Sequence, residues 1–163
     1  MKIYLAAPLF TDKQKYAINE VVKYLRAEGE TVFSPMEFTV ENAWDISNQE
    51  WAKKVYDHDV EGINDCDVVV AIYEGLNSDT GTAWEIGYAY AKGKDVILLC
   101  TDSSAKLSLM DVNCALIASS YDYYQILWGW YKDYKAGKTI TAGLVDPTTV
   151  TLPWVDPNIQ DQS

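Results

Sequence analysis

The length and charge of the chain exclude several classes of protein. With 163 residues, of which 48% are hydrophobic and 23% charged, it can form one globular domain with a substantial core. The formal net charge of -11 and the single arginine, Arg26, argue against a nucleic-acid partner, because such partners bind clustered Lys and Arg. Phosphorylated ligands are disfavoured for the same reason, so a small neutral substrate fits better.

The cysteines and the histidine argue against a metal site. Cys66, Cys100 and Cys114 are widely spaced and are typical of small core residues in a reducing compartment. With one histidine, His58, neither a metal site nor a histidine-based triad is expected, and we predict no cofactor. The chain shows no signal peptide and no apolar run of membrane length, so we expect a cytoplasmic protein that does not bind membranes.

Short apolar runs alternate with amphipathic stretches in the first half of the chain. In chain order they predict strand, helix, strand, helix and strand at 2–8, 12–28, 31–34, 48–64 and 67–73. The third strand is continuously apolar and rich in β-branched residues, which is typical of a central strand of a parallel sheet.

The second half continues the alternation. Helix, strand and helix are predicted at 82–92, 95–100 and 107–118, followed by a weak fifth strand from 117 and an aromatic helix at 121–135. This order predicts an α/β fold with a doubly wound, mostly parallel five-stranded sheet flanked by helices, flavodoxin-like or Rossmann-like. We expect one domain over 1–163, with an aromatic-rich C-terminal segment at 121–163.

Two carboxylates near the central strand are candidates for catalysis. Glu85 is predicted in the first turn of the helix that follows this strand, where the helix dipole stabilises an ionised nucleophile. A solvated glutamate at a helix start is the simpler interpretation. Asp79, in the preceding loop, is either a helix cap or the second carboxylate of a pair that suits glycosidic-bond chemistry.

Other candidates come from the first half of the chain. Asp59 lies in an acidic stretch, and either a solvated helix face or a site carboxylate explains it. Tyr4 is typical of a strand tyrosine in the core whose hydroxyl finds one partner, and that partner could be a site carboxylate. Phe10 and Trp51 could stack on a flat heterocycle or simply pack in the core.

These residues occur within blocks that resemble the nucleoside 2-deoxyribosyltransferase family. The blocks are IYLAAPLF, YDHDVEGI, DTGTAWEIGYA and KDVIL at 3–10, 56–63, 79–89 and 94–98. They cover about two-thirds of the chain together with the intervening central strand. Their combination in this order is specific, whereas each block alone would be weak.

The resemblance implies a double displacement on 2'-deoxynucleosides and free nucleobases, a reaction of nucleoside salvage. Glu85 would attack the anomeric carbon, form a covalent deoxyribosyl-enzyme and pass the sugar to a second base with retention of configuration. Tyr4 would orient that glutamate, Asp79 would help to protonate the leaving base, and Asp59 would belong to the base pocket. Phe10 and Trp51 would line the pocket.

Two features depart from the family pattern. Where the family has an asparagine that reaches the sugar's 5'-hydroxyl across a subunit interface, this chain has Ser108, and Asn113 could take over the contact. The chain also ends in Asp161-Gln-Ser163, without the terminal tyrosine of some members. The resemblance implies a homo-oligomer, a dimer or a hexamer built from dimers. A nucleoside or nucleotide N-glycosidase and a non-catalytic nucleoside-binding module are the alternative functions.

Overall fold

Strands and helices alternate along the first of the two units into which the chain divides, Met1–Asp122 and Tyr123–Ser163. The computed structural model describes residues 1–102 and 106–138. The strands of the first unit are β1 (Lys2–Ala6), β2 (Thr31–Phe33), β3 (Val68–Tyr73), β4 (Asp95–Cys100) and β5 (Ile117–Ser120). Its helices are α1 (Asp12–Ala27), α2 (Asn48–Asp65), α3 (Thr80–Ala91) and α4 (Leu109–Cys114). In the second unit, α5 spans Tyr124–Lys135.

The five strands form one sheet in the order β2-β1-β3-β4-β5, and every neighbouring pair is parallel. This arrangement confirms the predicted α/β fold class and the central position of β3. All six residues of β3 are buried, as its continuous apolar sequence predicts. The strand order reverses between β1 and β3, and ligands of such sheets bind beyond the carboxyl ends of the strands at this point.

Side chains fix the N-terminal ends of the first two long helices. Thr11 and Gln14 form a reciprocal capping box at the start of α1, and Ser47 and Glu50 form another at the start of α2. The chain leaves α1 through Gly29, whose φ of 85° suits glycine. Helix α1 buries an apolar stripe with helical spacing: Ala17, Ile18, Val21, Val22 and Leu25.

The structure differs from the sequence prediction at α3 and α4. Helix α3 begins at Thr80, two residues earlier than predicted, because Asp79 caps it. Helix α4 ends at Cys114, because the following residues leave the helix and pair with β4 from Ile117 onward. Residues 139–163, which are most of the predicted C-terminal segment 121–163 and include the chain's last three residues, lie outside the described residues. The single-domain interpretation of 1–163 stays a prediction.

Two general features of the described residues bear on the sequence analysis. None of the helices in the ranges 1–102 and 106–138 is long and apolar enough to cross a membrane. Cys66 and Cys100 are buried, Cys114 is half-buried, and all three are free thiols.

We expect replacement of Gly62 in α2 by alanine to destabilise the fold by about 1–3 kcal/mol, the usual range for overpacking. A Cβ at Gly62 would lie 2.7 Å from the ring of Phe33 in β2, so strand and helix would have to separate. Gly129→Ala in α5 is the matched control, because a Cβ there meets no atom within 4 Å and alanine favours helix. Thermal melting of both variants checks this. Equal melting temperatures for the two variants would contradict it.

Candidate active site

The candidate site lies where the strand order reverses, between β1 and β3. Tyr4 projects from β1, which pairs with β3 through Tyr4 and Val69. Helix α3, which carries Glu85, follows the carboxyl end of β3, and helix α2, which carries Asp59, precedes this strand. The fold therefore brings together residues that are far apart in the sequence, at the place where α/β sheets bind ligands.

Tyr4 and Glu85 form the central contact of the site. The Tyr4 hydroxyl donates a hydrogen bond of 2.6 Å to Glu85 Oε1. Tyr4 is fully buried, and this burial, together with the nearby charges of Glu85 and Asp59, raises the pKa of its hydroxyl. Tyr4 therefore keeps its proton and remains a donor to the carboxylate. Among the described residues, Glu85 Oε2 accepts no hydrogen bond, which leaves it available to a substrate.

Glu85 does not lie at the helix start as the sequence analysis expects. It is the sixth residue of α3, in the second turn, so the first-turn stabilisation by the helix dipole does not apply. Burial raises the pKa of Glu85 to about 8, and the charges of Asp59 and Asp79 also raise it, against a lowering by the Tyr4 hydrogen bond. The carboxyl is therefore largely protonated at neutral pH in the free protein.

Asp79 caps α3, so the simpler of its two interpretations is realised. Its Oδ2 accepts hydrogen bonds from the backbone N–H of Gly81 at 2.9 Å and of Thr82 at 3.3 Å. A Cβ at position 81 would lie 2.6 Å from the Asp79 carboxylate, which would then have to shift. Asp79 is also close enough to influence the pKa of Glu85. Its role in proton transfer stays a prediction.

Asp59 faces the same site rather than open solvent. Its side chain is only 19% exposed, unlike the neighbouring Asp57, whose side chain is 55% exposed. Burial raises the pKa of Asp59, whereas His58 lowers it through a hydrogen bond and its charge. The charge of Asp59 affects both Glu85 and Tyr4. The solvated-face interpretation is therefore wrong for Asp59, and its role in base binding stays a prediction.

The two predicted aromatic walls are exposed rather than packed in the core. Phe10, in the loop after β1, is 75% exposed, and Trp51, in the first turn of α2, is 46% exposed. Gln14 holds the loop by accepting a hydrogen bond from the Phe10 backbone N–H and donating one of 3.1 Å to Glu74. The contact of Phe10 and Trp51 with a base stays a prediction.

Ser108 and Asn113 lie at the two ends of α4. Ser108 caps this helix, and the Asn113 amide donates a 2.7 Å hydrogen bond to the Leu109 carbonyl. The hydroxyl of Tyr73 at the end of β3 anchors α4, because it donates to Asp111 at 2.7 Å and accepts from the Ser108 N–H at 3.1 Å. Ser108 and Asn113 are not among the side chains that shift the pKa of Glu85. Their contact with the sugar stays a prediction.

Comparison with known proteins agrees with this geometry. The family model described as nucleoside 2-deoxyribosyltransferase matches residues 3–126, which is most of the chain. The chain belongs to this family. The predicted resemblance and the enzyme class, a nucleoside deoxyribosyltransferase, are thereby confirmed.

Individual relatives of the nucleoside 2-deoxyribosyltransferase family support the assignment. The nucleoside deoxyribosyltransferase of Lactobacillus leichmannii is 29% identical over 61% of this chain and 70% of its own length. The solved 2-deoxyribosyltransferase of Bacillus psychrosaccharolyticus is 34% identical, with a TM-score of 0.65, over 75% of this chain and 88% of its own. A putative 2'-deoxynucleoside 5'-phosphate N-hydrolase of Thermofilum pendens is 29% identical over 61% of this chain and 67% of its own length.

Two residues that contribute to the site were not predicted. The sequence analysis uses His58 only as the single histidine that makes a metal site or a triad unexpected. In the structure it contacts Asp59. Gln14 was not considered, and its capping position three residues after Thr11 was the available signal. Within the described ranges no group of three or more His, Cys, Asp or Glu side chains could hold a metal ion.

We expect Tyr4→Phe to lower kcat/KM by about ten- to a hundredfold, because the lost hydrogen bond goes to a charged group. This hydrogen bond lowers the pKa of Glu85, so its loss should also move the acidic limb of the pH profile of kcat/KM to higher pH. Kinetics with a deoxynucleoside, across the pH range in which the protein stays folded, measure both effects. An unchanged acidic limb would contradict the contact.

Proposed function

We propose that the protein transfers 2-deoxyribose between nucleobases, with Glu85 as the covalent nucleophile. The observation that carries this proposal is the 2.6 Å contact between Tyr4 and Glu85 at the strand-order reversal, with two further carboxylates acting on Glu85. The hydrogen bond to Oε1 holds the carboxyl in one orientation and leaves Oε2 directed to the substrate. An oriented nucleophile with a neighbouring acid is the arrangement used by retaining glycosidic-bond enzymes.

In the proposed first step, the ionised form of Glu85, which is the minor form at neutral pH, attacks the anomeric carbon of a 2'-deoxynucleoside. The bond between this carbon and the base nitrogen breaks, its electron pair leaves with the base, and Asp79 passes a proton to the leaving base. In the second step a new base attacks the same carbon, releases Glu85 and gives up its proton to Asp79. Two inversions at one carbon give net retention of configuration.

Charge favours free nucleosides over nucleoside 5'-phosphates as substrates. Arg26, the single arginine of the sequence, is engaged in the fold by two hydrogen bonds of 2.8 and 2.7 Å to Glu37. The charges of Asp59 and Asp79, which act on Glu85, would also repel a phosphate. The proposed substrate, a free nucleoside, therefore differs from the nucleoside 5'-phosphate in the name of the Thermofilum relative.

We further propose a homo-oligomer, as the sequence analysis expects. Large aromatic side chains on α2 and α3, Trp51, Tyr56, Trp84 and Tyr90, are exposed by 43–59%, and exposed apolar surface often marks an interface. Light scattering coupled to size exclusion measures the mass in solution, and a monomer at micromolar concentration would contradict this part of the proposal.

A base-exchange assay tests the function directly. The protein is incubated with one deoxynucleoside and a different free base, and the products are separated by chromatography, with Glu85→Gln as the inactive control. The expected product is the exchanged deoxynucleoside. Release of free base without exchange would favour the N-glycosidase alternative, in which water replaces the acceptor base. Binding of the nucleoside without any turnover would favour the non-catalytic binding module.

A further inference from the structure

His58 is held in a fixed position by two aromatic rings. Its imidazole stacks on Phe38 with a centroid distance of 3.6 Å and an interplanar angle of 13°. Phe33 packs on the imidazole at 4.4 Å, and Phe33 in turn stacks on Tyr4 at 5.3 Å. A continuous row of rings, Tyr4, Phe33, His58 and Phe38, thus connects the tyrosine that binds Glu85 with the histidine of α2. We call these four residues the ring stack.

The local sequence makes room for the ring stack. Gly62 follows His58 by one helical turn, and the ring of Phe33 lies so close to it that a Cβ would approach within 2.7 Å. The close approach lets Phe33 reach the imidazole from one side. The ring of His58 therefore has little freedom to turn, because it contacts both Phe33 and Phe38 and Phe33 is itself packed against Tyr4.

The fixed imidazole faces Asp59. His58 Nδ1 lies 3.4 Å from Asp59 Oδ1, and the two side chains are 27% and 19% exposed. An ionised carboxylate only accepts hydrogen bonds, so Nδ1 carries the hydrogen when Asp59 is ionised. Burial raises the pKa of Asp59, and the hydrogen bond and charge of His58 oppose this rise.

We propose that His58 is a positioning residue, which holds the Asp59 carboxylate in place as an acceptor for N–H groups on the edge of the nucleobase. The inference rests on the proposed function and on the prediction that Asp59 belongs to the base pocket. Exocyclic amino groups and ring N–H groups of bases are the ligand chemistry that such a carboxylate recognises. His58 acts through Asp59 and is not itself required to touch the substrate.

Two substitutions separate hydrogen bonding from ring packing. His58→Asn keeps a donor at the place of Nδ1 but loses the ring, whereas His58→Phe keeps a ring in the ring stack but loses the donor. We expect His58→Phe to raise KM for the acceptor base by about tenfold, with kcat changed much less, and His58→Asn to stay within about threefold of the wild-type KM. If His58 served only for packing, His58→Asn would raise KM more than His58→Phe does. Thermal melting of both variants confirms that each is folded.

A double-mutant cycle with Asp59→Asn tests whether His58 acts through Asp59. In the Asp59→Asn background we expect His58→Phe to cause no further increase of KM, because the carboxylate it positions is already absent. An equal increase in both backgrounds would overturn the inference. So would a wild-type KM in His58→Phe, or a larger increase in His58→Asn than in His58→Phe.

Calorimetric titration with free adenine and cytosine keeps the inference separate from the proposed function. If the wild-type protein turns over nucleosides and His58→Phe binds these bases as tightly as the wild type, the inference fails and the function stands. If the wild-type protein has no turnover, the proposed function fails. In that case the comparison of base affinity still decides the role of His58, since a tenfold weaker affinity in His58→Phe than in His58→Asn supports it and equal affinities overturn it.

Discussion

Glu85→Gln should lower kcat/KM for deoxyribosyl transfer by about four orders of magnitude or more, the scale seen when a covalent nucleophile is removed. The amide keeps the shape of the side chain and can still meet the Tyr4 hydroxyl, but it cannot form the sugar ester. Any remaining rate would come from binding and orientation alone. Steady-state kinetics with a deoxynucleoside and an excess of acceptor base measure the effect.

Glu61→Gln is the matched control for this substitution. Glu61 is exposed on α2, and its replacement makes the same change from carboxyl to amide outside the Tyr4–Glu85 contact. We expect its kcat/KM to remain within about twofold of the wild-type value, as for other exposed sites far from catalysis. A loss of less than tenfold in Glu85→Gln would show that Glu85 is not the nucleophile.

The second large effect concerns the free energy of unfolding. Glu85 has a pKa of about 8 in the folded protein, against about 4.5 for the unperturbed carboxyl. Between these values the folded protein binds more protons than the unfolded chain, so stability falls as the pH rises from about 4.5 to about 8. A shift of this size corresponds to at most about 5 kcal/mol.

Comparison with Glu85→Gln isolates this contribution, because all other titrating groups are common to both proteins. At pH 5 the neutral carboxyl and the amide should give similar free energies of unfolding. At pH 9 the buried carboxylate is charged, and the variant should be more stable than the wild type by several kcal/mol. Urea denaturation at both pH values measures the difference, and a difference that does not change with pH would contradict the raised pKa.

Much of the fold could be predicted from local sequence patterns. The continuous apolar residues of β3 indicated a central parallel strand, and the helical spacing of the apolar residues in α1 indicated an amphipathic helix. The end of α4 could not be predicted as reliably, because the pairing of Ile117 with β4 overrides a pattern that also suits a helix. The start of α3 depended on whether Asp79 serves as the cap, a choice that only the three-dimensional contacts decide.

The sequence could suggest the contact between Tyr4 and Glu85, but not the electrostatics around it. Tyr4 and Glu85 are 81 positions apart, so only the family resemblance, and no local spacing, could pair them. The raised pKa of Glu85 results from burial and from the charges of Asp59 and Asp79, which depend on the folded arrangement. His58 was missed for the same reason, since its contacts with Phe33 and Phe38 join three separate segments.

Trapping the sugar on the protein tests the role of Glu85 most directly. A 2'-fluoro-arabinonucleoside is a suitable substrate, because the electron-withdrawing fluorine slows the reactions of the oxocarbenium-like transition state. We expect mass spectrometry to find one added sugar on the peptide that contains Glu85. We then expect a free base to remove this sugar as a nucleoside of retained configuration. Turnover of this substrate to a nucleoside of inverted configuration, or a sugar attached to another residue, would contradict this role of Glu85.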